Sequence, residues 1–363
     1  MSSFCPLASR FVSIPSAVLG LLVSLALLGG CSGSDSATVP PSAEPVLPSV
    51  ATVPPDYDFP SRDTVRIATW NVENFVDRHD DPYVDVEREN EPGPEIEARI
   101  ERLAQAIRRM NADVVVLQEF ESEAFLQRVV EEHLPESGYR FFASTESPTW
   151  FQNVVVMSRY PLGVLHSYAD VTTPIEGFTA ENGEPAATSL INHRLWLVEV
   201  QLRPGDRLHL VGAHLKAGGS PRDRAWRIGQ IRFLHTELVR LLADRPTADI
   251  LVAGDLNATA NSPELRLLLN TPTRPAPDSL RPGTEGWRAQ FRDPLHGTDT
   301  FTFPSDAPNR ELDYLLPNSH LQPELLDGSI RVASPLSSSA MAATSDHLPV
   351  VATFFLEDRS VEN

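Results

Sequence analysis

A chain of 363 residues that is 41% hydrophobic and 22% charged has a globular composition and enough length to bury a large core. Its net charge of −19 excludes a protein that coats polyanions through a basic surface. It does not exclude a phosphate-cleaving enzyme, because clustered carboxylates bind hard divalent cations that supply positive charge locally.

In chain order, residues 1–30 read as a secretory signal. Arg10 is the sole basic side chain ahead of an apolar stretch from Ala17 to Leu28. That stretch is shorter than the roughly 20 apolar residues a spanning helix needs. Leu28-Gly29-Gly30-Cys31 resembles the bacterial lipobox, which would make Cys31 the lipid-bearing first residue of the mature protein. Ser32, not Asp, follows, so by analogy with that class an outer-membrane lipoprotein is expected, with a plain secreted or periplasmic protein as the alternative. Cys5 and Cys31 are the two cysteines, so nothing folded after them holds an internal disulfide or a cysteine-ligated zinc. Residues 31–63 are Pro- and Ser-rich without helical or strand period and predict a flexible, partly polyproline tether.

One folded domain is expected over 64–357, with a short tail at 358–363. Val65 to Trp70 alternates like a strand and runs into Asn71-Val72-Glu73-Asn74. Ile96, Ile100, Leu103 and Ile107 recur at helical spacing and predict an amphipathic helix over Glu95–Met110. Val114-Val115-Val116-Leu117 predicts a buried strand that closes on Gln118-Glu119, followed by a helix capped by Ser122. Strands are predicted around Tyr139–Ala143, Asn153–Ser158 and Leu162–Tyr168, then a loop over 172–189. Arg194–Leu202 and Arg207–Ala213 read as strands, the second leading into His214-Leu215-Lys216. Pro221–Leu242 is the longest helical pattern, with Pro221 suited to a first turn. Beyond it come a short helix at Ser262–Leu269, a Pro- and Gly-rich excursion over 270–298, strands at Thr300–Phe303, Leu312–Leu316 and Ile330–Val332, and a last strand at Val350–Leu356. Strands and helices alternate early and strands dominate the middle, which predicts an α/β (α+β) fold of two layers of mixed sheet with helices outside.

The run Ile250-Leu251-Val252-Ala253-Gly254-Asp255-Leu256-Asn257 stands out. Four apolar residues read as a buried strand, and period two would place Asp255 and Asn257 on one side of an extended backbone at its carboxyl end, where ligands bind in open α/β sheets. The octet alone equally fits a strand-to-turn signal, since Gly, Asp and Asn all favour turns. The same pattern recurs: Asn71 and Glu73, Glu119, and His214 each follow an apolar strand, Asp313 sits inside one, and Asp346-His347 precede the last. Singly, each has a bland explanation, such as turn chemistry or an acid at a helix start. Asp313 within Glu311-Leu312-Asp313-Tyr314-Leu315 is harder to explain so, because a buried carboxylate needs a partner such as a histidine.

Thr69-Trp70-Asn71-Val72-Glu73-Asn74, Leu117-Gln118-Glu119, Ala213-His214-Leu215-Lys216, Gly254-Asp255-Leu256-Asn257, Leu312-Asp313-Tyr314 and Ser345-Asp346-His347-Leu348-Pro349 together resemble, in order, the motifs of the endonuclease/exonuclease/phosphatase superfamily. The resemblance implies a deoxyribonuclease-I-like four-layer sandwich of two packed mixed β-sheets flanked by helices, and divalent-metal-dependent phosphoester hydrolysis. It also implies roles. Asn71 and Glu119 would hold Mg²⁺ (or Mn²⁺ or Ca²⁺), with Glu73 and Asp346 as further metal groups. Asp255 would activate the attacking water and Asn257 position it. His347, polarised by Asp313, would act on the phosphoryl group, and His214 would contact phosphate or aid the leaving group. Arg194 and Lys216 are candidate phosphate contacts. The expected activity is a nuclease acting on extracellular nucleic acid. The alternatives are a lipid or small-molecule phosphoesterase and, from another class, an inactive binding lipoprotein. A monomer that meets the membrane only through its N-terminal lipid is expected.

Overall fold

The computed structural model describes residues 53–270 and 291–357. The predicted signal, Cys31, most of the tether, the tail and much of the 270–298 excursion lie outside these residues. The order begins β1 (Thr64–Phe75), α1 (Glu87–Asn90), α2 (Ile96–Met110), β2 (Val114–Phe120), α3 (Glu123–His133), β3 (Phe141–Ser144), β4 (Asn153–Ser158) and β5 (Leu162–Ser167). It continues with β6 (Thr173–Thr179), β7 (Pro185–Thr188), β8 (Leu195–Arg203), β9 (Asp206–His214), α4 (Pro221–Asp244), β10 (Asp249–Asp255) and α5 (Pro263–Asn270). After the gap come β11 (Asp313–Pro317), β12 (Arg331–Val332), α6 (Ser338–Ala342) and β13 (Val350–Phe355).

Period two sorts the strands into layers. In β1, Val65 and Ile67 point between the sheets, whereas Ala68, Trp70 and Val72 pack with Ile100, Leu103 and Ile107 of α2. In β10, Leu251 and Ala253 meet that central layer from the other side, and Ile250 and Val252 pack with Leu234 and Leu238 of α4. The result is four layers. One six-stranded sheet runs β12-β13-β1-β2-β4-β3 and one five-stranded sheet runs β11-β10-β9-β8-β5. Each has one parallel pair at its heart, β1 with β2 and β10 with β9, so the carboxyl ends of these four strands are the loop-bearing ends.

Three expectations need correction. The 172–189 stretch is not a loop but the hairpin β6–β7, because Ile175 alternates inward and the chain docks on α4. Gly229 of α4 permits that docking, since a Cβ there would lie 2.1 Å from the Pro174 carbonyl oxygen. Thr300–Phe303 is not a strand but forms a single bridge from Phe303 to Arg310, after which Pro304 interrupts pairing. The end of the tether is packed: Tyr57 meets Phe59 and Phe141 edge-on, its hydroxyl donates to the Arg159 carbonyl, and Arg62 pairs with Asp113 at 2.7 Å. Aromatic side chains in the proline-rich stretch supply the apolar area that a free linker lacks.

Gly254 is held in the close approach of β10 to β9. Its φ is +147°, and a Cβ would stand 1.9 Å from the Ala213 carbonyl oxygen. Gly254→Ala is therefore expected to cost about 3 kcal/mol or more, lowering the melting temperature by roughly 6–12 °C. An unchanged thermal transition followed by circular dichroism would contradict this packing.

Candidate active site

The alternation that builds the central layer also aims the polar groups. Beyond Val65 and Ile67 the same face of β1 carries Thr69 and Asn71. Beyond Leu208 and Leu210 the inner face of β9 ends in His214, and beyond Leu251 and Ala253 that of β10 ends in Asp255. Asp313 precedes inward-facing Leu315 by two residues. Register then sets them side by side, because Asp255 is opposite His214 on one neighbour and opposite Asp313 on the other.

Glu119 reaches the cleft differently. By alternation it would follow Leu117 towards the helices, but its φ of +58° breaks the register between Gln118 and Phe120 and swings it inward. Glu73, Asn74 and Asn257 are likewise left-handed, at φ values of 52°, 47° and 50°. Such residues cost of order 1 kcal/mol or more each and cluster where surrounding contacts enforce them. Asn257 lies beyond the end of β10, so period two is not what joins it to Asp255. An Asx turn is: Asp255 Oδ1 accepts the Asn257 backbone N–H at 2.8 Å, and Asn257 Nδ2 donates to Asp255 Oδ2 at 3.2 Å and to the Leu215 carbonyl at 3.1 Å. Turn chemistry and a polar cluster are here the same structure.

Asn71 ties the sheets together. Its Nδ2 donates to Glu119 Oε1 at 3.2 Å and to Asp255 Oδ2 at 3.1 Å. His214 Nε2 lies 3.7 Å from both Glu119 Oε1 and Asp255 Oδ2, and burial holds this histidine well below its usual range, hence neutral. Opposite it, His347 Nδ1 is 2.7 Å from Asp313 Oδ2, while its Nε2 lies 3.9 Å from Asp255 and 3.8 Å from Asp346. Burial alone would lower His347, but Asp313, Asp255 and Asp346 outweigh it and push it up to about 10. Burial, and then repulsion from Asp313, raises Asp255 above the usual carboxylate range. One imidazole is thus neutral and the other cationic, with a buried carboxylate between them.

Arg194 ends a short 3-10 turn before β8 and is buried; burial lowers it to about 10 against the pull of Glu119 and Asp255. Lys216 is turned elsewhere. Its Nζ lies 3.2 Å from Asp223 and donates to the Ala217 carbonyl, so its charge serves the start of α4. Gln152 is a member of the site that strand-end patterning does not reveal. It donates to Glu119 Oε2 at 2.8 Å and to Asn74 Oδ1, and accepts from Arg194 at 2.9 Å and from Trp150 at 3.0 Å. Its place just before β4, which runs antiparallel to β2, puts a strand start at the end where β2 finishes. Ser345 is a second such contributor, donating to the Asn71 carbonyl and accepting from the His347 N–H.

Among the described residues, Asp255, Asp313 and His347 place ligand-competent atoms within 4.8 Å of one another. The His347 nitrogen nearest Asp313 is committed to that carboxylate, and a cationic ring does not ligate, so this trio suits proton chemistry better than metal. The acids beside it are chemically better suited to a divalent cation. Asp346, half-buried, is raised to about 6 by burial, with His347 opposing and Glu73 and Glu119 adding repulsion. Asp346, Glu73 and Glu119, with the neighbouring Asn71 amide, offer hard oxygen donors of the kind that hold a hydrated divalent ion. Glu119, Asp346 and Glu73 are the residues that would hold it; the Asn71 amide oxygen already accepts the Glu73 backbone N–H at 3.0 Å and would join them only through its second lone pair.

A four-layer sandwich with acids, amides and two unlike histidines at one end defines a metal-dependent phosphoesterase. The model of the Endonuclease/Exonuclease/phosphatase family matches residues 68–347, and the chain belongs to that family. It is accordingly a phosphoric ester hydrolase. No curated protein matches the chain. Among solved structures, D. rerio TDP2 with a single-strand DNA product is similar at 16% identity and a TM-score of 0.51, covering 81% of this chain and 99% of that one. Truncated Caenorhabditis elegans TDP2 (16%, TM-score 0.50, 80% and 97%) and an endonuclease/exonuclease/phosphatase from Bacteroides vulgatus (16%, TM-score 0.50, 82% and 100%) share the architecture. These likenesses show the fold.

Proposed function

We propose that the protein is a phosphodiesterase that cleaves nucleic acid outside the cytoplasm, carried to the outer membrane by a lipid on Cys31 and acting as a monomer. The observation that carries the diesterase assignment is the row His214–Asp255–Asp313 with His347 opposite. It surrounds one buried carboxylate with a neutral and a cationic imidazole. A bound Mg²⁺ would neutralise charge on the phosphate. Asp255 takes the proton of the attacking water, and Asn257 orients that water through the turn they share. His347, kept protonated by Asp313, donates to the phosphoryl oxygens as charge builds on them. Neutral His214 offers a hydrogen bond to the phosphate or the departing oxygen, and Arg194 adds a fixed positive charge. Trp150, exposed and bonded to Gln152, supplies a flat face on which a base can stack. The D. rerio neighbour holding a single-strand DNA product is consistent with that choice of substrate.

The test is turnover by purified protein of plasmid DNA, RNA, sphingomyelin and bis(p-nitrophenyl) phosphate, with Mg²⁺ and with chelator. Nicking of plasmid or cleavage of RNA that stops on chelation is expected. Hydrolysis of lipid with both polymers untouched would overturn the substrate assignment. In cells, palmitate labelling that disappears in Cys31→Ser is the matching result for the anchor, and unlabelled wild-type protein would refute it.

A further inference from the structure

We propose that the groove beside the catalytic row is a second phosphate subsite, which takes the next phosphate along a nucleic-acid strand; this rests on the phosphodiesterase assignment above. The groove, about 480 Å³, opens between the start of α4 and the segment that follows β10. That volume lies within the range of ligand sites. Asn257 lines it and at the same time hydrogen-bonds Asp255, and Leu312, which also lines it, adjoins Asp313. The groove therefore adjoins the catalytic row through Asn257.

Charge identifies the occupant. The three arginines at the start of α4 have separate fates. Arg222 lies over the Phe178 ring at 5.6 Å, and Arg227 is buried against Glu264 at 2.8 Å with its other nitrogen on the Lys216 and Gly218 carbonyls. Arg224 is exposed and lines the groove with no acidic partner among the described residues. Arg310 does the same from the segment before β11, its guanidinium 4.5 Å above the Phe303 ring, which in turn packs on His347 at 4.8 Å. Glu264 is the acid in the lining, and Arg227 neutralises it. Thr259, Asn261 and Ser262 contribute uncharged donors. In a chain of net charge −19, two unpaired arginines over a neutral polar floor make an anion site.

The experiment compares wild type with the double variant Arg224→Gln/Arg310→Gln. Binding of a fluorescein-labelled phosphorothioate pentathymidylate is read by anisotropy, and turnover of bis(p-nitrophenyl) phosphate is read in parallel. The expected result is a dissociation constant raised at least tenfold, with a salt dependence shallower by about 0.7 in log–log slope for each phosphate that an arginine no longer neutralises. Turnover of the small diester, which has no second phosphate, stays within twofold, and Arg224→Lys/Arg310→Lys recovers most of the binding. Unchanged oligonucleotide binding, or equal losses in both assays, overturns the subsite. If the wild type neither binds nor cleaves oligonucleotide yet hydrolyses the small diester, the nucleic-acid assignment fails by itself. Inhibition of that hydrolysis by inositol hexakisphosphate in excess Mg²⁺ then decides the subsite: weaker inhibition of the double variant keeps a phosphate groove for a smaller substrate, and equal inhibition overturns it.

Discussion

Asp255→Asn is expected to lower kcat by about three to four orders of magnitude, the upper part of the range for removing a positioned general base. Asp255 is the group to which both sheets converge. Asn71 reaches it from β1, His214 and Asp313 flank it in register, and Asn257 closes a turn on it. The stability change is expected to be small because two effects oppose. Asn replaces an acid that burial and Asp313 hold above its usual range, so the folded protein no longer carries a charge it disfavours. Against this, Asp255 Oδ2 accepts from two amide nitrogens, and an amide in its place sets a donor against donors, costing about 1–3 kcal/mol. Single-turnover kinetics and a thermal melt check both. A kcat within tenfold of wild type would sink the base assignment, and recovery of activity at raised Mg²⁺ would make Asp255 a metal ligand instead.

What can be read in the sequence is what period two controls. Asn71, His214, Asp255 and Asp313 each extend an inward-facing alternation of apolar residues, so strand pattern alone brings them to one cleft. Glu119 is legible as a strand-end acid, yet it faces inward only through a left-handed turn that no periodicity signals. Gln152 escapes a search of strand ends because an antiparallel strand delivers its start to the same edge. Lys216 carries the right charge two residues beyond His214, but which way a long flexible side chain turns depends on a partner, here Asp223, seven residues on. The β6–β7 hairpin is hidden for a related reason: its inward alternation is confined to Thr173 and Ile175, and their burial depends on α4 packing against them.

The Asp313–His347 pair makes the second large prediction, in which activity and stability part. His347→Gln is expected to lower kcat/KM by about a thousandfold and Asp313→Asn by about a hundredfold, in the range of acid and electrostatic contributions. The double variant is expected to be no slower than His347→Gln, because Asp313 acts through the imidazole it holds. The pH profile separates this from a loss of fold. His347 is raised to about 10, so in wild type its proton persists through neutral pH and the alkaline limb of kcat/KM lies near there; in Asp313→Asn that limb moves towards neutrality. The sign for stability follows from the same shift. A histidine raised above its unfolded value contributes fully below about pH 6.5, and that contribution is lost as pH rises through about 10. Wild-type stability should therefore decline over that window more than that of Asp313→Asn. His347→Gln leaves the wholly buried Asp313 carboxylate without its cation, a defect of about 3–5 kcal/mol, and replacing Asp313 by Asn as well removes the uncompensated charge. The double variant should thus melt higher than His347→Gln while being no more active. Equal melting temperatures for these two proteins, or additive losses of rate, would mean that the pair is not the coupled unit its 2.7 Å contact describes.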